Sequence, residues 1–472
     1  MGFLDYVAQF FQILSNYGAT VLVPFILFIM GLCFRAGVAK SLRAAIQVGV
    51  GLLGVNLVLT LLQGTVVPVA ASMSERMGVD LSIIDIGWPG AAAIAFGGTV
   101  GTFIIPFCLL INIIMLATRT TQTANIDVWN FWQHALVGSY VSILTGNIAL
   151  GFVSAGFSMI ICLVLSDLTA PYFEKYMSLP GCATAHSFAL SFGISGWILN
   201  KVLDVIPGIR KINLQLDDLQ KKLGKWGVLF EPIVMGAIIG LLVGIIGGMP
   251  LIPTEGEGSS AFTIAITMAA IMVLVPKMVS LIMEGLMPIS DAVQAIIQKR
   301  GDGNSKLYIG LDAAVALGQP LSLALSVILT PVMVLLAIGL AAVGLNNVMP
   351  AVDLAVLPFI FVFIAPMCNG NAFRAIIIGI IDIALALITT TMFAPLFTEC
   401  AIAVGAIEAG SMTSSISGGC NIITFFLAKS VEFMGSAPGL IVTGVVTVAV
   451  VVFNGIRIRR LHAAAQTGEG DK

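Results

Sequence analysis

Charge is what this chain has least of. Only 10% of its 472 residues are Asp, Glu, Lys or Arg, while 58% are hydrophobic; a soluble domain carries about 25% charge. So little charge cannot solvate the surface of a water-soluble fold of this length, and the composition is that of a membrane protein. The 22 basic and 24 acidic residues nearly cancel, and no basic run exceeds Arg459-Arg460. The electrostatic footprint of a nucleic-acid partner is therefore missing. Also missing are a P-loop, a G-x-S-x-G elbow and an H-E-x-x-H zinc motif, and of three histidines one, His462, lies in the polar tail. Neither a catalytic constellation nor a bound cofactor or metal is expected. The seven cysteines (33, 108, 162, 182, 368, 400 and 420) sit in or beside apolar stretches without a C-x2-C pair, and read as small buried hydrophobes. No basic segment with a small-residue cleavage site opens the sequence, so no removable signal peptide is expected.

What is present is length in apolar runs. Windows of about 19 residues place spans near 17–34, 44–72, 90–117, 134–149, 150–167, 226–249, 259–283, 321–344, 354–369, 372–396 and 437–456. The expected fold is all-α and polytopic, with about eleven transmembrane helices. Three further stretches, 176–200, 307–320 and 401–434, are apolar but broken by Gly, Pro and Ser. Such backbone survives at membrane depth only inside protein or against a wet cavity, so these are candidate re-entrant segments. Basic residues gather on cytoplasmic loops. With the N-terminus outside and the C-terminus inside, 20 of the 22 fall inside and only Arg76 and Lys429 outside. The acidic residues Asp5, Glu255, Glu257, Glu399 and Glu408 also fall outside.

Five spans precede the basic loop 201–225 and five follow it before the last helix, which places the two sets in opposite orientation. Landmarks recur: Asp312 lies 227 residues after Asp85, and Gly370-Asn371 lies 224 after Gly146-Asn147. Each half ends in a broken segment, one with Pro180-Gly181 and His186, the other with Gly410 and Gly418-Gly419. The expected organisation is a first inverted-repeat half over 1–200, a cytoplasmic amphipathic linker over 201–225, a second half over 226–434, and a last helix with cytoplasmic tail over 435–472. Inverted repeats with interrupted helices underlie alternating access, with substrate near the bilayer midplane.

The polar residues embedded in apolar sequence are few, chiefly Asp85, Asn130, Gln133, His134, Asn147, His186, Glu231, Glu284, Asp312, Gln319 and Asn371. A charge at the bilayer centre costs at least about 2.5–3.5 kcal/mol, so Asp312 needs a partner or a cavity; the bland alternative is a helix cap. His186 suits a hydroxylated substrate, since imidazole donates from one nitrogen and accepts at the other. Gln133 and His134 stand together at the mouth of one span. Asp85 either positions or caps the Trp88-Pro89-Gly90 turn, and Trp88 is either a platform for the C–H face of a sugar or an interfacial anchor. Trp129, Trp132, Trp197 and Trp226, at span ends, read as interfacial anchors. The loop 201–225 reads as an interfacial segment that could also dock a cytoplasmic partner.

Five motifs in order, Ile84-Asp85-Ile86-Gly87-Trp88-Pro89-Gly90, Ile126-Asp127-Val128-Trp129-Asn130, Ile206-Pro207-Gly208, Ile309-Gly310-Leu311-Asp312 and Gly370-Asn371-Ala372-Phe373-Arg374, resemble the galactitol permease IIC components of the bacterial phosphotransferase system. The likeness covers nearly the whole chain, and the related ascorbate permeases are similar in topology. The resemblance implies a homodimer of eleven-span protomers in the bacterial inner (cytoplasmic) membrane, with a scaffold and an elevator-like core that carries a sugar or polyol inward. It also implies that a separate IIB protein, supplied through IIA, phosphorylates the substrate, so the chain itself needs no phosphorylated residue. Asp85, Trp88, Gln133, His134, His186, Asp312, Gln319 and Asn371 are the expected substrate-binding residues. The chain departs from the family pattern at Cys368-Asn369, where the family has a basic pair, and at Gln133 and Gln319, where it has histidines. These departures leave the mechanism standing but open the substrate to alditols other than galactitol. The alternative from another class is an ion-coupled secondary transporter of the same architecture, with Asp312 or Glu284 as its proton or sodium site; a channel is disfavoured because no ring of like charge lines a span.

Overall fold

The computed structural model describes residues 19–125, 127–177, 181–214, 232–252, 259–300, 307–316, 319–407 and 410–467. Several residues singled out above lie outside the described residues: Asp5, Ile126, Pro180, Trp226, Glu231, Glu255, Glu257 and Glu408. So does most of the 201–225 loop beyond Leu214.

In chain order the elements are α1 (Ala19–Cys33), α2 (Val38–Met77), β1 (Ile83–Asp85), α3 (Gly87–Gly97), α4 (Thr99–Ala117), β2 (Thr123–Asn125), α5 (Phe131–Thr145), α6 (Ile148–Met177), β3 (Cys182–Thr184) and α7 (Ser187–Val205). After the linker come α8 (Pro232–Ile246), α9 (Ala261–Arg300), β4 (Tyr308–Leu311), α10 (Pro320–Ala342), β5 (Val348–Met349), α11 (Leu357–Met367), α12 (Ala372–Ala403), β6 (Thr413–Ser414), a helical turn (Ile416–Gly419), a helical run over 422–434 whose middle (Phe425–Lys429) is π-helical, and α13 (Ser436–Thr467). Among the described residues, six helices are long and apolar enough to cross a membrane: Thr99–Ala117, Ile148–Tyr176, Ser187–Val205, Ala324–Ala342, Ala372–Ala403 and Ser436–Leu461.

The structure is mostly helical, and it corrects the all-α expectation at six places. Six strands of two to four residues form two three-stranded parallel sheets, in orders β5-β1-β6 and β2-β4-β3. They are too short for an alternating pattern to show in the sequence. The broken stretch 176–200 is a strand followed by a regular helix, α7, rather than a re-entrant segment throughout. The span expected over 90–117 is interrupted at Gly98, whose ψ of 164° ends α3 and starts α4. A Cβ at Gly101 would overlap the Ala95 carbonyl oxygen, so only glycine lets the two helices meet this closely.

Helices α1, α2, α8 and α9 pack mainly on one another and form their own layer. Both α2 and α9 are 40 residues long, about 60 Å at the helical rise. The layer meets the rest largely through α3, α4 and the turns around 128–130 and 352–356. The second layer holds both sheets and the remaining helices. Its outermost helix, α13, is tied to the edge of β2 by Asp167. That carboxylate accepts from Gln122 N–H, from Thr123 Oγ1 (2.7 Å) and from Asn454 Nδ2 (2.6 Å).

Candidate functional site

Each sheet borrows across the chain's midpoint. β1 pairs with β5 and β6, both more than 260 residues later, and β4 pairs with β2 and β3. The strands run parallel, so within each sheet the downstream ends lie on one side. All six of these ends reach a single buried cavity of about 40 Å³. Trp88 follows β1, Val356 and Phe359 follow β5, and Ser417 follows β6; Trp129, Trp132 and Gln133 follow β2, His186 and Phe188 follow β3, and Asp312 follows β4. Helices α3, α5, α7 and α11 begin beside these residues, so several helix N-termini, each with free N–H groups, surround the cavity.

One wall is polar. His186 Nδ1 accepts the N–H of Ala189 (3.2 Å), capping α7, which leaves Nε2 to carry the ring proton. Nε2 faces Asp312 Oδ1 at 3.8 Å, beyond direct hydrogen-bond reach and suited to a bridging hydroxyl or water. The Gln133 amide stands 3.2 Å from both ring nitrogens. Its carbonyl accepts from Ser187 Oγ and from Phe188 N–H (3.0 Å), which fixes the amide's orientation. Phe359 stacks on the imidazole, with centroids 5.5 Å apart. The other walls are aromatic: Trp88 packs edge-on against Trp129 at 6.4 Å and lies 6.5 Å from Phe359. Flat aromatic faces beside a few directed polar groups are a chemistry suited to hydroxylated carbon chains.

Trp88, Gln133, His186 and Asp312 thus meet in one cavity; the other expected residues stand around it. Asp85 lies behind the Trp88 wall, accepting the N–H groups of Gly87 (2.9 Å), Ala351 (2.8 Å) and Asp353 (2.8 Å). Gly87, at φ +71°, turns the chain there. His134 is fully buried, with Nδ1 2.8 Å from Ser158 Oγ; among the described residues its Nε2 has no hydrogen-bond partner. Gln319 precedes α10 and reaches the Tyr176 carbonyl at 3.4 Å. Asn371 caps α12 and donates to the Ile212 carbonyl, beside the Arg374–Asp204 ion pair (2.7 Å). Asn147 is exposed at the α5–α6 junction. Glu284 lies on the other layer, exposed, accepting from Gln47 Nε2 at 3.0 Å in an open groove shared with Arg35, Lys40 and Arg43.

Two tryptophans are corrected. Trp129, on the short helical turn 128–130, and Trp132, in the first turn of α5, are only 3% and 2% exposed and line the cavity rather than an interface. Trp197, at 52% exposure, is on the surface. Sequence reasoning missed Asp353 and Ser417. Asp353 is fully buried and accepts from Trp88 N–H (2.7 Å), Ser415 Oγ (2.7 Å) and Ile416 N–H (2.6 Å). Its spacing was a usable signal, since it lies 226 residues after Asp127, close to the 227 that separate Asp85 and Asp312.

This arrangement defines a multi-pass membrane protein with a small polyhydroxyl-suited cavity enclosed by broken helices. Residues 12–410 match the family model of the PTS system sugar-specific permease component, and the chain belongs to that family. It is 34% identical over 400 residues to a permease IIC component of Escherichia coli (strain K12), covering 85% of this chain and 88% of the relative. It is also 29% identical over 439 residues to the PTS system galactitol-specific EIIC components of Escherichia coli K12 and O157:H7, covering 93% of this chain and 94% of each. The chain is accordingly a sugar or polyol permease subunit of a phosphotransferase system, a role that implies IIB and IIA partners.

Proposed function

We propose that this subunit binds galactitol or a related alditol in the cavity between the two sheets and carries it inward across the bacterial inner membrane, where a IIB protein phosphorylates it. The observation that carries the reading is the convergence of all six strand ends on one cavity that pairs Trp88, Trp129 and Phe359 with the His186–Asp312 gap. A hydroxyl in that gap accepts from His186 Nε2–H and donates to Asp312, while aromatic faces cover the C–H groups.

The proposed topology is an inverted repeat of eleven spans, N-terminus outside and C-terminus inside, with halves over 1–200 and 226–434, a linker over 201–225, and the last helix and tail over 435–472. Supporting it are the equal lengths of α2 and α9 and the exchange of strands between the sheets. A cavity of about 40 Å³ holds a few waters, not a hexitol, so the proposed cycle includes a wider state. The separate layer α1, α2, α8 and α9 suits a scaffold in a lipid-embedded homodimer, against which the other layer moves as an elevator.

A binding screen of alditols against the purified protein tests the reading. We expect one alditol to bind, and Asp312→Asn and His186→Ala each to weaken it about tenfold or more with the fold retained. No alditol binding, or unchanged binding in both variants, contradicts the proposal.

A further inference from the structure

The cavity lining includes one serine whose hydroxyl proton direction the hydrogen-bond network determines. Ser417 is one of the residues that line the cavity, and its Oγ lies 2.8 Å from Ser415 Oγ. Taken alone, either serine could donate in that pair. Ser415, however, is 2.7 Å from Asp353 Oδ2, an oxygen that also accepts the Ile416 N–H at 2.6 Å and lies 3.4 Å from the Ser417 nitrogen. Asp353 Oδ1 accepts the Trp88 N–H. A carboxylate so surrounded by donors acts as an acceptor, so the single proton of Ser415 goes to Asp353. Ser415 can then only accept from its neighbour, and the single proton of Ser417 goes to Ser415. What Ser417 offers the cavity is lone pairs alone.

We infer that Ser417 is a specificity-determining residue that accepts a hydrogen bond from one hydroxyl of the substrate, with Ser415 and Asp353 as positioning residues that hold it in the acceptor state. The inference rests on the alditol reading above and deepens it. The cavity then reads its ligand directionally, with a donor at His186 Nε2, an acceptor at Asp312 and a second acceptor at Ser417. A ligand presenting a carbonyl, an ether or a carboxylate oxygen to Ser417 meets lone pair against lone pair and is rejected. The substrate class is therefore one with a free hydroxyl at that carbon, an open-chain alditol in preference to the matching ketose or sugar acid. The same chain links specificity to the frame of the site, because Asp353 also holds the backbone of Trp88 and is itself bonded through its own N–H to Asp85.

The test measures dissociation constants of the purified full-length protein for galactitol, mannitol, glucitol and xylitol. For the tightest of these, the series is then repeated with each hydroxyl replaced in turn by hydrogen or by fluorine, which accepts but cannot donate. In the unaltered protein, two carbons are expected at which hydrogen and fluorine both weaken binding about three- to tenfold: one bears the hydroxyl between His186 and Asp312, which Asp312→Asn assigns, and the other bears the hydroxyl that donates to Ser417. Ser417→Ala should bind the parent alditol more weakly by a similar factor and lose its discrimination at the latter carbon alone. Ser415→Ala releases the Ser417 proton, so the fluorinated ligand should regain affinity relative to the deoxy one; this variant keeps the Ser417 side chain and checks the direction of the bond independently. Ser417→Ala retaining the full discrimination pattern, or fluorine tolerated by the unaltered protein at every carbon except the one assigned to the His186–Asp312 gap, would overturn the inference while leaving the alditol reading intact. If the unaltered protein binds none of the four alditols, the parent reading fails and this inference falls with it.

Discussion

Asp85 ends the central strand of one sheet and Asp312 follows that of the other, yet their surroundings give them different work. Asp85 accepts three buried N–H groups, two of them from the loop at 351–353 that joins β5 to α11, and so fastens one half of the chain to the other. Asp312 opens onto the cavity opposite His186. Removing a buried acceptor leaves its donors unpaired at about 1–3 kcal/mol each. Asp85→Ala is therefore expected to destabilise the protein by about 3 kcal/mol or more, read as a clear drop in the thermal midpoint in detergent. Asp312→Asn should leave that midpoint near the parent value and lose binding instead. A stable Asp85→Ala protein with lost binding would return Asp85 to the substrate. In the sequence the two aspartates look alike, since both are isolated charges in apolar runs. Which of them meets backbone donors depends on contacts hundreds of residues apart, and that information was not legible. Trp129 and Trp132 escape the sequence for a related reason: tryptophan at a span end usually faces the interface, and only the folded turn at 128–130 and the start of α5 show these two buried.

The legibility of the helices differs from that of the strands. Apolar runs of about 20 residues announce themselves, and the long helices fall where hydropathy places them, with α7 the helix that small and polar residues disguised. Strands of two to four residues carry no period, and their presence is marked only by small residues that permit close approach. Gly310 in β4 is such a mark. A Cβ there would stand 2.9 Å from both Asn125 Cα and Thr123 Cγ2, and the first of these is backbone, which cannot yield cheaply. Gly310→Ala is expected to pry β2 from β4 and displace Asp312, two residues on, lowering both the thermal midpoint and alditol affinity. Gly339→Ala in α10, where a Cβ meets nothing within 4 Å, is the control, expected neutral or slightly stabilising. Equal effects of the two substitutions would mean that the strand pairing does not hold the site.

At the scale of the molecule, scarcity of charge was enough to read a membrane protein from the sequence, and the five motifs its permease family. The exchange of strands between the sheets was not readable, because a repeat offset reports likeness between halves and not which half pairs with which. That exchange gives the cavity walls from both halves, so a relative movement of the halves alters its shape and access. Within a phosphotransferase system the free energy for accumulation comes from phosphorylation of the carried molecule rather than from an ion gradient. The most direct measurement reconstitutes the protein in vesicles loaded with phosphoenolpyruvate, the general carrier proteins, and IIA and IIB, with all ion gradients collapsed, and follows phosphorylated alditol inside. The account predicts accumulation that requires IIB and is lost in Asp312→Asn; uptake that proceeds without IIB and stops when the gradients are collapsed would contradict it.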